Sequence, residues 1–170
     1  MIETENYIFF FGSRYSQWAG TPFKEGDVTY NTAEQYMMYH KAITFGDFDS
    51  AEAILKSQDP AEQKRIGRKV KGFEDERWDL VKEAVVYQAN LLKYSQNEQI
   101  KKVLTVDHKD KMFVEASPTD RVWGIGLDLG DSRIFNEAQW QGKNLLGIAI
   151  KRVQQRLLGT GKIVTKLEIV

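Results

Sequence analysis

Cysteine is missing from this 170-residue chain altogether, which excludes disulfides, thiolate metal sites and a cysteine nucleophile. Proline is scarce: Pro22, Pro60 and Pro118 are the three present, and all fall between segments of regular hydrophobic spacing, as breakers should. The two histidines, His40 and His108, have no partner at metal-ligand spacing, and no HExxH pattern exists. They read as structural or exposed. No GxSxG elbow marks a serine nucleophile. An excess of one charge is absent too, since Lys plus Arg and Asp plus Glu both number 24. That balance argues against strong non-specific binding along a nucleic-acid backbone, while leaving room for a local nucleotide site. No run reaches the roughly 18 apolar residues of a membrane span, and the opening MIETENYIFFF lacks the basic n-region of a signal peptide. The expected setting is soluble and cytoplasmic, with no membrane partner.

What is present suits one globular domain. Hydrophobic residues make up 42% of the chain and charged residues 28%, an ordinary balance for a folded protein. A length of 170 residues is enough to bury a core without staples. No internal repeat or linker divides it, so the expectation is a single domain over 1–170, with a core at about 7–158 and a tail from 159. YIFFF (7–11) and MFVEA (112–116) read as strands. Helices are expected over 32–45 with Thr32 as N-cap, over 50–57 behind Asp47 or Asp49, and from Asp59-Pro60 to about Gly67. A long helix from about Asp75 to Tyr94 carries Trp78, Val81, Val85 and Leu92 at helical spacing. A short helix follows at 97–103. The last, over 144–158, turns Leu146, Ala149, Ile150, Val153 and Leu157 inward. The tail KIVTKLEIV partly alternates. The fold class is mainly α with a few short β-strands.

One helix raises a chemical question. NTAEQYMMYHKA (31–42) places Glu34 and Lys41 seven residues apart, nearly two turns, so they share a face with Met37, Met38 and Phe45. Tyr36 and Tyr39 fall on the opposite side. With both faces apolar, the helix is expected to be central. Two readings stay open: a buried salt bridge, or two groups reaching into one pocket. Burial matters chemically because it disfavours the charged lysine and so makes its amine nucleophilic.

Three loops are candidates for ligand contact. In EASPTDRVWGIGLDLGD (115–131), Gly124 and Gly126 would let the backbone approach a planar ligand, Trp123 could stack on it and Asp120 could accept a hydrogen bond; taken alone, the stretch fits a turn around a core tryptophan better. In WQGKNLLG (140–147), Gly142 and Lys143 precede a helix for which Asn144 could be the N-cap. Free amides there would suit a phosphate, although an ordinary capped start also fits. In SRYSQWAGTPF (13–23), Ser13, Arg14, Ser16 and Gln17 could form a polar rim with Trp18 packed beneath.

Taken in order, FFGSRYSQWAGTPF, NTAEQYMMYHKA, IGRKVKGF with Trp78, EASPTDRVWGIG and WQGKNLLG resemble the NADAR family, also called YbiA-like, over residues 7–158. Tyr15-Ser16-Gln17-Trp18 stands where many members have Phe-Ser-Asn-Phe. The resemblance implies a YbiA-like fold and an N-glycosidase that cleaves a ribosyl–nitrogen bond without cofactor or metal. The implied substrates are ADP-ribose on guanine, in a nucleotide or in nucleic acid, or the phosphorylated aminopyrimidines of riboflavin biosynthesis. A non-catalytic sensor of ADP-ribose or NAD-derived ligands is the rival from another class. By the same resemblance Lys41 would attack the anomeric carbon through a Schiff base, and Glu34 would move protons or stabilise positive charge on the sugar. Ser16, Gln17, Trp18 and Tyr36 would touch substrate from the first half of the chain. Glu115, Asp120, Trp123, Gly124 and Gly126 would hold base or ribose, and Gly142, Lys143 and Asn144 the phosphate side.

Overall fold

The structure, a computed structural model, describes residues 1–159; the alternating tail KIVTKLEIV lies outside the described residues. Helix dominates. In chain order the helices are α1 (Ala33–Thr44), α2 (Phe48–Lys56), α3 (Pro60–Gly67), α4 (Asp75–Gln96), α5 (Glu98–Lys102) and α6 (Leu145–Leu157). Their starts follow from local chemistry. Thr32 Oγ1 accepts from the Gln35 amide at 3.0 Å, Asp47 from Ser50, and Asp59 from Ala61, with Pro60 at the first helical position. Each cap satisfies an amide that the first turn leaves without an intrahelical partner. α5 runs on through a wider turn at Val103–Asp107.

The strands are short. β1 (Ile2–Glu3), β2 (Tyr7–Phe10) and β5 (Met112–Glu115) form a three-stranded sheet in the order β1-β2-β5. β1 runs antiparallel to β2, whereas β2 and β5 are parallel, with Tyr7 opposite Met112 and Phe10 opposite Glu115. Both sheet faces are covered, which is why YIFF reads as a continuous apolar run. Ile8, Phe10 and Phe113 face α4 and α6, together with Leu146, Ile150 and Val153. Phe9 and Val114 face the loop residues Ile125, Leu127 and Ile134.

A hairpin of β3 (Phe23–Glu25) and β4 (Val28–Tyr30) occupies what the sequence suggests is loop. Its two-residue turn has Gly26 at φ +56°, a conformation that glycine adopts without steric cost. Phe23 and Tyr30 pack on Tyr36 of α1 and Ala89 of α4. α1 is therefore central, with seven of its residues buried, Glu34 and Gln35 among them.

Candidate active site

A cavity of about 930 Å³ opens along the Glu34 side of α1. Glu34, Met37 and Met38 of α1 form its floor, and Lys64 and Arg68 approach from α3. Asp75, Trp78, Asp79 and Lys82 come from the start of α4. The 11–18 loop gives Phe11, Ser16, Gln17 and Trp18, while the far wall carries Glu115, Ser117, Asp120, Trp123 and Lys143. Chain segments more than a hundred residues apart thus meet at one concave, mixed polar and aromatic surface, the usual form of a small-molecule site.

The acids are the cavity's distinguishing feature. Glu34 is 5% exposed. Burial pushes its carboxyl up to about 7; the Lys64 charge, a hydrogen bond from Trp18 and Arg68 pull it back, and Asp120 adds to the rise. Glu115 is likewise lifted to about 7, chiefly by burial and then by Asp120, with Lys64 opposing and Glu34 reinforcing. Two carboxyls sharing one cavity near neutrality can divide their labour, one protonated and one ionised.

Lys41 lies beside this cavity rather than in its lining. Its Nζ rests 3.9 Å from the centroid of the Phe73 ring, and no ion pair within 4.0 Å joins it to Glu34 among the described residues. Burial lowers its proton affinity; Asp75 and then Glu34 raise it, and Arg68 lowers it. The buried salt bridge offered by the sequence is therefore not what the fold builds.

Several expected contacts are placed differently. Tyr36 faces away from the cavity, and its hydroxyl donates to Glu25 Oε2 at 2.9 Å; its position on the far side of α1 follows from helical spacing. Trp18 does not pack beneath the rim but stands 44% exposed at the mouth. Ser16 and Gln17 are buried together with Tyr15 in that loop, which is held by Lys93 of α4, whose Nζ donates to the carbonyls of Arg14 and Ser16 at 2.9 and 3.0 Å. The Gln17 side-chain oxygen accepts from Asn90 at 2.9 Å, and its carbonyl from the Glu34 amide at 2.9 Å.

The glycines let neighbouring chain segments approach closely. A Cβ on Gly124 would lie 2.8 Å from the Glu115 carbonyl, and one on Gly142 would lie 2.3 Å from that of Gly124. Gly126 sits at φ +70° against Arg121 and Gln141. At the start of α6 the amides are already spent: Lys143 donates to Arg121, Asn144 to Gly124, Leu145 to Val122 and Leu146 to Trp123. Asn144 does not cap the helix with its side chain. At φ 53° and ψ 36° it turns that side chain to β5 instead, accepting from Glu115 and donating to Phe113. Gly124, Gly126, Gly142 and Asn144 therefore build the wall behind Glu115, and Lys143 reaches the cavity by its side chain. Asp120 lines the cavity while its Oδ1 accepts from Val122 and Trp123.

Sequence reasoning missed Lys64, Arg68, Lys82, Asp75 and Lys93. The one available signal was the i, i+4 spacing of Lys64 and Arg68, which puts both on one face of α3. Among the described residues no three His, Asp or Glu side chains converge as metal ligands, and no helix is long and apolar enough to cross a membrane.

Comparison with known proteins adds an independent line. The family model of the NADAR domain matches residues 7–158. An N-glycosidase of Acanthamoeba polyphaga mimivirus is 38% identical over 167 residues, covering 91% of this chain and 98% of that protein. The Caenorhabditis elegans protein irg-1 is 43% identical over 136 residues, 79% of this chain and 64% of the relative. The solution structure of Escherichia coli YbiA superposes with a TM-score of 0.73 at 25% identity, covering 92% of this chain and 88% of that one.

Proposed function

The chain belongs to the NADAR family, and from that premise we propose that it is an N-glycosidase, a hydrolase acting on N-glycosyl bonds, whose substrate is ADP-ribose joined to a guanine base. The mimiviral relative and E. coli YbiA bear the name N-glycosidase, which supports the reaction class. The observation that carries the reading is Glu34, almost wholly buried on the cavity floor with its carboxyl lifted to about 7.

Departure of a purine from C1′ needs a proton delivered to the leaving nitrogen. A carboxyl that holds its proton near neutral pH is suited to supply it. Glu34 takes this role, and Glu115 stabilises positive charge growing on the sugar. The Lys41 amine, in its uncharged form, attacks C1′ as the bond to the base breaks. The ribose ring opens to an imine, and water then hydrolyses that imine to release the sugar and restore the amine. For this Lys41 swings off the Phe73 ring toward the Asp75–Glu34 end of the cavity. Trp123 and Trp18 offer faces for the base, and Asp120 an acceptor for ribose or base. The whole of residues 1–170 is taken to serve this single activity.

The test is incubation with an ADP-ribosylated guanine nucleotide beside a ribosyl-aminopyrimidine phosphate, following released base. Borohydride added during turnover should leave a sugar adduct on Lys41. An active enzyme with no adduct would overturn the imine route.

A further inference from the structure

We propose that Lys64 of α3 and Arg68 at that helix's C-cap form the anion subsite of the cavity and seat a phosphate or pyrophosphate group of the substrate. The two lie on one face of a short helix, four residues apart, and both line the cavity. Among the described residues neither has a carboxylate within 4.0 Å, whereas Arg65 on the outer face is paired with Glu62. Of the remaining lining cations, Lys82 is held by Asp79 and Arg121 donates to Gln141, which leaves Lys143 as the one competing cation among the described lining residues. The α6 amides, which could otherwise grip a phosphate, are spent on loop carbonyls.

The backbone that carries the pair packs closely on α1. A Cβ on Gly67, between the two cations in sequence, would fall 2.1 Å from the Met38 sulfur. Glycine thus lets α3 approach α1 with the Met38 side chain in place, and Met38 itself lines the cavity. Two unpaired cations over a part-buried surface suit an oxyanion with several acceptor oxygens, and the guanidinium adds bidentate geometry.

A second consequence can be measured. Lys64 and Arg68 face Glu34 from α3, Lys41 from its own helix, and Asp120 and Trp18 from the two loops. Glu115 is faced by Asp120, Lys64 and Glu34. An anion seated on the α3 cations cancels the charges that hold both carboxyls down, so binding should draw protons from solution near pH 7.

That the anion belongs to substrate rests on the N-glycosidase reading; the subsite itself does not. Titration calorimetry with inorganic pyrophosphate, in two buffers of different ionisation enthalpy, is the direct test. Affinity should fall about tenfold in Arg68→Gln and in Lys64→Gln, with proton uptake lost in the latter, while Arg65→Gln behaves as wild type. In kinetics, Arg68→Gln should raise KM for a phosphorylated substrate about tenfold and leave kcat within about threefold. Undiminished pyrophosphate binding in both α3 variants, or its loss only in Lys143→Gln, overturns the subsite. If wild-type protein cleaves no ribosyl–nitrogen bond yet binds pyrophosphate through α3, the enzyme reading falls and the subsite stands.

Discussion

Two lysines enter apolar surroundings on neighbouring helices, and they end in opposite conditions. Lys93 of α4 is wholly buried, with its ammonium on two backbone carbonyls and 5.3 Å from the Tyr94 ring. Lys41 of α1 is half-buried, touches an aromatic face and, among the described residues, has no hydrogen-bonded partner holding it. Burial alone would mark Lys93 as the reactive amine, because desolvation pulls it down to about 7. Geometry says otherwise. Its protons are committed to the loop that carries Ser16 and Gln17, so moving it would release two buried carbonyls. A lysine able to react needs burial without commitment, and of these two Lys41 meets that condition.

The contrast is sharpest if the two residues are altered in turn. Lys41→Ala should reduce base release by a factor of about a thousand or more, a loss of ~4 kcal/mol in transition-state stabilisation, with an unchanged circular dichroism spectrum. If the variant unfolds instead, the lysine is structural and the distinction collapses. Lys93→Met should do the reverse. Leaving the Arg14 and Ser16 carbonyls without a donor should cost ~2 kcal/mol of stability, read as a lower urea midpoint, and activity should fall through a higher KM as the loop loosens.

The same variant carries a pH signature. Native Lys93 releases its proton near 7, whereas an unfolded lysine keeps it to about 10.4. Over that window the unfolded chain binds the extra proton, so wild-type stability gains with rising pH. The gap between wild type and Lys93→Met should therefore widen from pH 7 toward pH 10. In stability, Glu34→Gln should act oppositely to Lys93→Met. The carboxyl is raised from its ordinary value to about 7, so its ionisation is a cost to the fold that grows as pH climbs from about 4.5 to 7. The amide should abolish base release yet raise stability at pH 8 by ~2 kcal/mol, with no gain at pH 4. Smallest of all, Phe73→Ala should remove a cation–π contact worth ~0.5–1 kcal/mol and alter kcat only a few-fold, with the alkaline limb of the pH profile moved.

Helices were legible because their chemistry is local. Thr32, Asp47 and Asp59-Pro60 announce their starts, and the α6 stripe of Leu146, Ile150 and Val153 is regular enough to give its inward face. The β3–β4 hairpin was not legible. Three-residue strands leave no alternation to read, and Phe23 and Tyr30 are buried by contacts with α1 and α4 that no local window contains. At the site, Glu34 and Glu115 lay within readable motifs. Lys64 and Arg68 did not stand out, since cations on a short polar helix read as a solvated face. Asn90 and Lys93 were hidden because single polar residues on a long amphipathic helix read as part of its solvated face. Asn144 misled because an Asn before an apolar run resembles a cap, while its left-handed backbone and its bonds to β5 depend on a strand thirty residues away.

The parallel pairing of β2 with β5 has a bearing on how the molecule comes into being. A strand completed within the first ten residues waits for a partner beginning at Met112, and closing so long a loop before any reward is slow. During synthesis the N-terminal helices can gather, but the wall that carries Glu115, Asp120 and Trp123 emerges only afterwards. Contact order thus delays the cavity to the last stage of assembly, and a nascent chain stopped before residue 112 has Glu34 and Lys41 without the carboxylate and tryptophan that face them.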